Sequence, residues 1–374
     1  MRDFKLETHF TKWEFTAKYH LTASDCESLP MNELLALASQ EDRAKFETQW
    51  LGYTETKGNL ELRELIGKTY DHLSTEDVLC FAGAEEGLYV AMKTLLTPDD
   101  HAIVFTPNYQ AAETIPLSIC AVSGLMLRPE NDWEPDLDEL KTLLRPNTKL
   151  ISINFPHNPT GKIISESNLR ALVTLCRERG IWLFSDEVYR GIESDPTKRV
   201  TQAADLYERG LSLNVMSKAY GLPGLRIGWI ACQNRTVLQQ MNRYKNYLSI
   251  CNSAPSEQLS IIALKARNAI LARNIALIQE NLALLRNFFA DFTGMFEWYE
   301  PDGGCVAYPR YKGDDGVDAW TEQLVEKHGA LLLPANIYQS QLTPTPTDRF
   351  RIGFGRANLA AGLNVLRDAI TNSR

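Results

Sequence analysis

The chain has 374 residues, of which 44% are hydrophobic and 23% charged, and a formal net charge of −8. That length favours two lobes over a single core, and the acidic balance argues against a nucleic-acid partner, which would require a basic face. No apolar run reaches the ~20 residues of a membrane span, and the charged start from Met1 to Glu7 is unlike a signal peptide.

Seven cysteines lack CxxC spacing and six histidines include no HExxH, so neither a disulfide framework nor a metal site is indicated. The expectation is a cytoplasmic, reduced, metal-free protein with no membrane or nucleic-acid partner.

Up to about Gln40 the sequence is aromatic and acidic (Phe10, Trp13, Glu14, Phe15, Tyr19, Asp25, Glu27), with a short helix expected over Asn32 to Ala38. This arm either packs on the body of the fold or borders a substrate pocket, offering Asp25 and Glu27 to a basic substrate. Gly52-Tyr53 and Gly58 then precede Leu62-Arg63-Glu64-Leu65-Ile66. From about Asp77, short apolar runs alternate with helical stretches, the pattern of a mostly parallel sheet wrapped by helices. The expected strands are Val78–Ala82, Ala102–Thr106, Lys149–Asn154, Ile181–Ser185, Leu211–Met216 and Ile227–Cys232.

Most residues able to carry chemistry fall just after one of these strands, where open α/β sheets place their ligands. Gly83-Ala84-Glu85-Glu86-Gly87 follows the first and leads into a helix, so backbone N–H groups can approach an anion. Thr106-Pro107-Asn108-Tyr109 follows the second, and Asn154-Phe155-Pro156-His157-Asn158-Pro159-Thr160-Gly161 the third. His157 reads as a loop or pocket-wall residue. Ser185-Asp186-Glu187-Val188-Tyr189 closes the fourth strand, with Glu187 structural. The fifth runs into Ser217-Lys218-Ala219-Tyr220-Gly221-Leu222-Pro223-Gly224-Leu225-Arg226-Ile227-Gly228-Trp229, where one lysine ends an apolar run and one arginine follows a Gly/Pro-rich turn. A lysine amine readily shifts its pKa when buried. One or two long helices are expected between Ser256 and Phe292, followed by a smaller C-terminal lobe ending in Asp348-Arg349-Phe350-Arg351-Ile352-Gly353-Phe354-Gly355. Arg349 and Arg356 are placed on the surface.

Taken together, these segments resemble the class I/II aminotransferases, pyridoxal 5′-phosphate (PLP) enzymes of fold type I. "FPHNPTG", "SDEVY", "SKAYGLPGLRIGW" and "FRIGFG" carry the likeness, which extends over nearly the whole chain. It implies a PLP-dependent transferase fold of α/β class with a mostly parallel central sheet. It also implies a smaller α+β domain formed by the N-terminal arm and the C-terminal part. The expected division is an arm over 1–45, a large PLP-binding domain over 46–270 and a small domain over 271–374.

The resemblance further implies that Lys218 holds PLP as a Schiff base, that Arg226 and Ser217 bind its phosphate, and that Gly83, Ala84 and Glu85 form the phosphate cup. Glu85 departs from the small polar residues commoner there, so its side chain is expected to turn away. Val215 replaces a usual phosphate-binding hydroxyl, and Ala335 a usual glycine. Tyr109 would stack on the cofactor ring, Asn158 and Tyr189 would bind its oxygen, and Asp186 its protonated nitrogen. Lys218, Asp186 and Tyr189 are thus the implied catalytic set. Arg351, with Asn158 beside it, would hold the substrate carboxylate, and Tyr53 would reach a partner's phosphate across a homodimer interface.

The implied activity moves an amino group from an L-amino acid to a 2-oxo acid. The arm, "NFPHNPTG" and "SKAYGLPGLR" are similar to the capreomycidine synthase-like subgroup. That likeness implies, as a second reading, a lyase, cyclase or oxidase acting on an arginine-like amino acid.

Overall fold

Seven short, mostly apolar runs pair into one sheet in the computed structural model, which describes residues 1–372. They are β1 (Val78–Phe81), β2 (His101–Thr106), β3 (Ala121–Met126), β4 (Thr148–Asn154), β5 (Trp182–Asp186), β6 (Gly210–Val215) and β7 (Gly228–Ala231). Their order across the sheet is β1-β7-β6-β5-β4-β2-β3. All neighbours are parallel except those of β7, which runs antiparallel to both β1 and β6. Strands β1, β2, β6 and β7 are buried throughout, as a sheet covered by helices on both faces demands. The chain is therefore α/β with a mostly parallel central sheet.

The six expected strands all form, with ends displaced by a residue or so. Strand β3 escaped sequence reading because it is an edge strand. Ser123 and Gly124 interrupt its apolar pattern, and one of its faces stays wet. The helical stretch after Ser256 resolves into Ala254–Lys265 and Arg267–Asp291, separated at Ala266.

Two N-terminal features were also hidden. Lys5–Trp13 forms a helix, though it lacks a capping side chain. Tyr19–His20 then pairs in parallel with Ala330–Leu331, so the arm is stitched to the C-terminal part by backbone hydrogen bonds. The stitch continues as Gly353 N–H donates to the Leu21 carbonyl at 2.8 Å. There, a Cβ on Gly353 would lie 1.9 Å from the Ala23 carbonyl oxygen, closer than any side chain can come. The C-terminal part has its own aromatic core, in which Tyr311 and Trp320 stack at 4.4 Å. Among the described residues, no helix is long and apolar enough to cross a membrane.

Gly353→Ala should therefore force the arm off the C-terminal strand and cost about 1–3 kcal/mol, as other overpacking changes do. A thermal melt against Gly294→Ala, where a Cβ meets open space, checks this. The control should melt like the parent.

Candidate active site

The C-terminal ends of β4, β5 and β6 converge on a cavity of about 400 Å³. The helix Ala84–Leu95 and the N-terminal arm close it from the other sides. Asn154 and Asp186 are register partners at the ends of β4 and β5, so both project to the cavity from adjacent strands. Lys218 enters just past β6 and donates from Nζ to Ser24 Oγ of the arm at 2.9 Å. Burial pulls the Lys218 pKa below that of an ordinary lysine, with the Asp25 charge acting against the shift. The amine is thereby moved toward its neutral, nucleophilic form.

At one end of the cavity, Arg226 lies exposed in a left-handed conformation (φ 52°), with its guanidinium against Gly83. A Cβ at Gly83 would sit 2.4 Å from Arg226 Nη2, so glycine is needed for this approach, and φ +94° also favours it. No carboxylate pairs with Arg226 among the described residues. Ser217 Oγ is buried without a hydrogen-bond partner, and the helix from Ala84 turns its first-turn N–H groups to the same corner. An orphaned hydroxyl, an unpaired guanidinium and a helix N-terminus form a site for a phosphate dianion. Val215 lines the wall as a buried apolar side chain and contributes no hydroxyl.

Glu85 is exposed at the cavity. It remains in the lining, and its carboxyl interacts with the Tyr109 hydroxyl. The surrounding protein pushes its pKa up to about 7, chiefly by desolvation. Tyr109 itself leans on Phe4 of the arm, ring centroids 5.2 Å apart.

Among the described residues, Asp186 receives only the Val188 N–H (3.2 Å) on its carboxylate, with no cation bonded to it. Burial raises its pKa to about 7, while Val188 N–H and then the Lys218 charge oppose the rise. Such a carboxylate is suited to a protonated ring nitrogen, whose charge would restore the ionised form. Tyr189 is 1% exposed, and burial raises its phenol pKa well above the usual value. It contacts the same Ser24 hydroxyl that accepts from Lys218.

Arg351 is fully buried. Its Nη1 donates to Tyr338 Oη (2.7 Å) and Asn158 Oδ1 (3.2 Å), and its Nη2 to the Thr22 carbonyl (2.7 Å). Its Nε has no partner, and no acid pairs with it among the described residues. Asn158 Oδ1 also accepts from Tyr338 (3.1 Å), which leaves the Asn158 amide nitrogen free to donate into the cavity.

The cavity thus gathers Ala84, Glu85, Tyr109, Asn158, Asp186, Tyr189, Ser217, Lys218, Arg226 and Arg351, with Gly83 behind Arg226. It does not include Tyr53, which is 85% exposed. His157 does not line this cavity; it is a buried loop residue, fixed between Thr160 Oγ1 and the Pro107 carbonyl at 2.8 Å each. Glu187 accepts from Ala203 N and Ser212 Oγ and is structural.

Two surface assignments are corrected. Arg349 is buried against Trp133, 5.2 Å from the ring, because its stem fills an apolar gap while its head bonds the Tyr308 carbonyl. Arg356 lines the cavity, pairing with both Asp25 oxygens at 2.7 and 2.9 Å. Asp25 is thereby paired with a cation at the cavity wall, while Glu27 accepts from Ala357 N at 2.7 Å and does not line the cavity. Sequence reasoning missed Ser24 and Tyr338, which carry no motif and reach the site only through tertiary folding. It also missed Glu7 and Glu14 as cavity residues, because the arm helix was not recognised.

Comparison with known proteins gives these features a common origin. The family profile for aminotransferase class I and II matches residues 18–366. The chain belongs to that family. It is 28% identical to capreomycidine synthase of Streptomyces vinaceus over 98% of this chain and 93% of the relative. To an aspartate aminotransferase of Thermotoga maritima it is 27% identical over 85% of this chain and 81% of that one. The structure superposes on a PLP-dependent aminotransferase from Streptococcus suis with a TM-score of 0.93 and 29% identity, covering 99% and 98% of the two chains. The cofactor is pyridoxal 5′-phosphate, and the orphaned Ser217, unpaired Arg226 and cation-free Asp186 fit its phosphate and ring nitrogen.

The raised Asp186 pKa has a consequence for stability. An acid whose folded pKa lies above its unfolded value destabilises the fold as pH rises from 3.8 through about 7, and the full penalty applies above that. At about 1.4 kcal/mol per pH unit, the cost in the cofactor-free protein is on the order of 4 kcal/mol. Asp186→Asn should therefore raise the apoprotein melting temperature at pH 8 and change it little at pH 4. Melts of the two apoproteins across that range provide the check.

Proposed function

We propose that the protein is a PLP-dependent aminotransferase that takes the amino group of an L-amino acid and delivers it to a 2-oxo acid. The observation that carries this reading is the placement of a neutral-leaning amine, Lys218, and a buried guanidinium without a counter-ion, Arg351, in one cavity. When bound, the cofactor supplies an electron sink for the bonds around the substrate α-carbon. The protein does the rest. Arg351 grips the substrate carboxylate through a planar fork, and Asn158 and Tyr338 keep that fork from turning. Lys218 Nζ takes the proton from the α-carbon, and the Ser24 hydroxyl steadies the amine between turnovers. Asp186 keeps a proton on the ring nitrogen. With the cofactor bound, Tyr189 and Asn158 would donate to its ring oxygen, Tyr109 would cover the ring, and Gly83, Ala84, Glu85, Ser217 and Arg226 would hold the phosphate.

The similarity to capreomycidine synthase over 98% of the chain favours one second reading. In it, the same residues serve a lyase, cyclase or oxidase acting on an arginine-like amino acid. We also infer a cytoplasmic homodimer. Trp50, Leu51, Tyr53 and Tyr247 are exposed apolar side chains of the kind an interface covers, with Tyr53 reaching the partner's phosphate site.

The purified holoenzyme, given an amino-acid panel with pyruvate or 2-oxoglutarate, should yield a 2-oxo acid from the donor only when the acceptor is present. Turnover without an acceptor, with ammonia release or oxygen uptake, would support the second reading instead. Borohydride treatment should fix the cofactor's mass on Lys218, and Lys218→Ala should abolish both that mass increment and turnover. Arg351→Lys should lower kcat/KM by about a hundredfold, since a point charge replaces a two-point grip. Steady-state kinetics of the two variants decide this.

A further inference from the structure

The arm helix Lys5–Trp13 presents Leu6, Glu7 and Phe10, with Glu14 just beyond its end, to the cavity. This spacing of three and seven residues from Glu7 puts two carboxylates on one helical face with a phenyl ring between them. Neither Glu7 nor Glu14 forms an ion pair among the described residues. Burial, followed by the Glu7 and Asp25 charges, pushes the Glu14 pKa above the usual carboxylate range. Acids are thus crowded at this end of the cavity, and the Arg356 and Lys218 charges offset them only in part.

Arg356, His20 and Lys218 line the same cavity as these acids. Arg356 is already bonded by both oxygens of Asp25. His20, on the same side, is held toward its neutral form by burial and then by Arg356. Lys218 hydrogen-bonds Ser24. The same cavity holds Arg351, fully buried with Nε unpartnered, which independently calls for a ligand bearing a carboxylate. A molecule answering both demands carries an anion at one end and a cation at the other.

We infer that Glu7 and Glu14 select an L-amino acid whose side chain ends in an ammonium or guanidinium group. This rests on the amino-acid reading given above. Arg351 holds the α-carboxylate, Phe10 and Leu6 cover the methylene stem, and the two glutamates take the terminal charge. The Asp25–Arg356 pair keeps a dicarboxylate out, because admitting one would break that pair and set an acid against two others.

The holoenzyme is titrated with L-arginine, L-lysine, L-norleucine and L-glutamate, following cofactor absorbance and initial rates. The wild type should show KM for at least one of the two cationic substrates about tenfold or more below that for L-norleucine, with L-glutamate poorest. In the Glu7→Gln/Glu14→Gln double variant, KM for that substrate should rise about ten- to a hundredfold, while that for L-norleucine changes less than about threefold. Glu14→Lys should move the preference toward L-glutamate. Melting temperature and resting absorbance confirm that each variant is folded and loaded.

A wild type that prefers L-norleucine or L-glutamate overturns the inference and leaves the amino-acid reading intact. An equal loss on cationic and neutral substrates in the double variant overturns the role of these two glutamates. If no amino acid of any charge alters the absorbance, the underlying reading falls, and this inference with it.

Discussion

A guanidinium removed from water without a counter-ion is costly, and Arg351 is held in that state by groups from three separate parts of the chain. The Thr22 carbonyl comes from the arm, Asn158 Oδ1 from the loop after β4, and the Tyr338 hydroxyl from the C-terminal part. Neutral acceptors of this kind orient a cation but discharge little of it, so the charge remains available to a ligand. The arm, sheet and C-terminal part must all be in place before these three bonds can exist together. Much of the observed architecture follows from that requirement, including the parallel pairing of Tyr19–His20 with Ala330–Leu331 and the glycine at 353.

The sheet meets the complementary requirement. Parallel strands bring several loops to one edge, and β4, β5 and β6 deliver Asn158, Asp186 and Lys218 from neighbouring positions. The polar groups left unsatisfied there are few and specific. Among the described residues, Ser217 Oγ, Arg351 Nε, Arg356 Nε and His20 Nε2 stand without partners in the cavity wall. Asp186 lacks a cation for the same reason. These are costs the free protein carries and bound molecules relieve.

The residues legible in the sequence were those carried by short contiguous signals. A strand ending in Asp186, a lysine closing an apolar run, and Asn158 within its Asn-Pro-Thr-Gly turn announce themselves locally. The six strands found were the largely buried ones, whose apolar runs are little interrupted. What stayed hidden depends on distant packing. Ser24 and Tyr338 look like any serine and tyrosine, and Arg356 looks like a surface charge until Asp25 is seen beside it. The Lys5–Trp13 helix was obscured because it lacks a cap and carries only a short apolar stripe. Its stability comes from the cavity and the body beneath it, to which Lys5 N–H is tied through Gln110 Oε1 at 3.0 Å.

That helix also separates two kinds of information within the gene. The cavity residues proposed for the cofactor ring and phosphate lie between positions 83 and 226, whereas the two carboxylates proposed for the substrate side chain, Glu7 and Glu14, lie on and just after the helix Lys5–Trp13. Changes in that short leading stretch can retune what is admitted without disturbing the reactive machinery. A library confined to it would be a compact route to new selectivities on an unchanged catalytic frame.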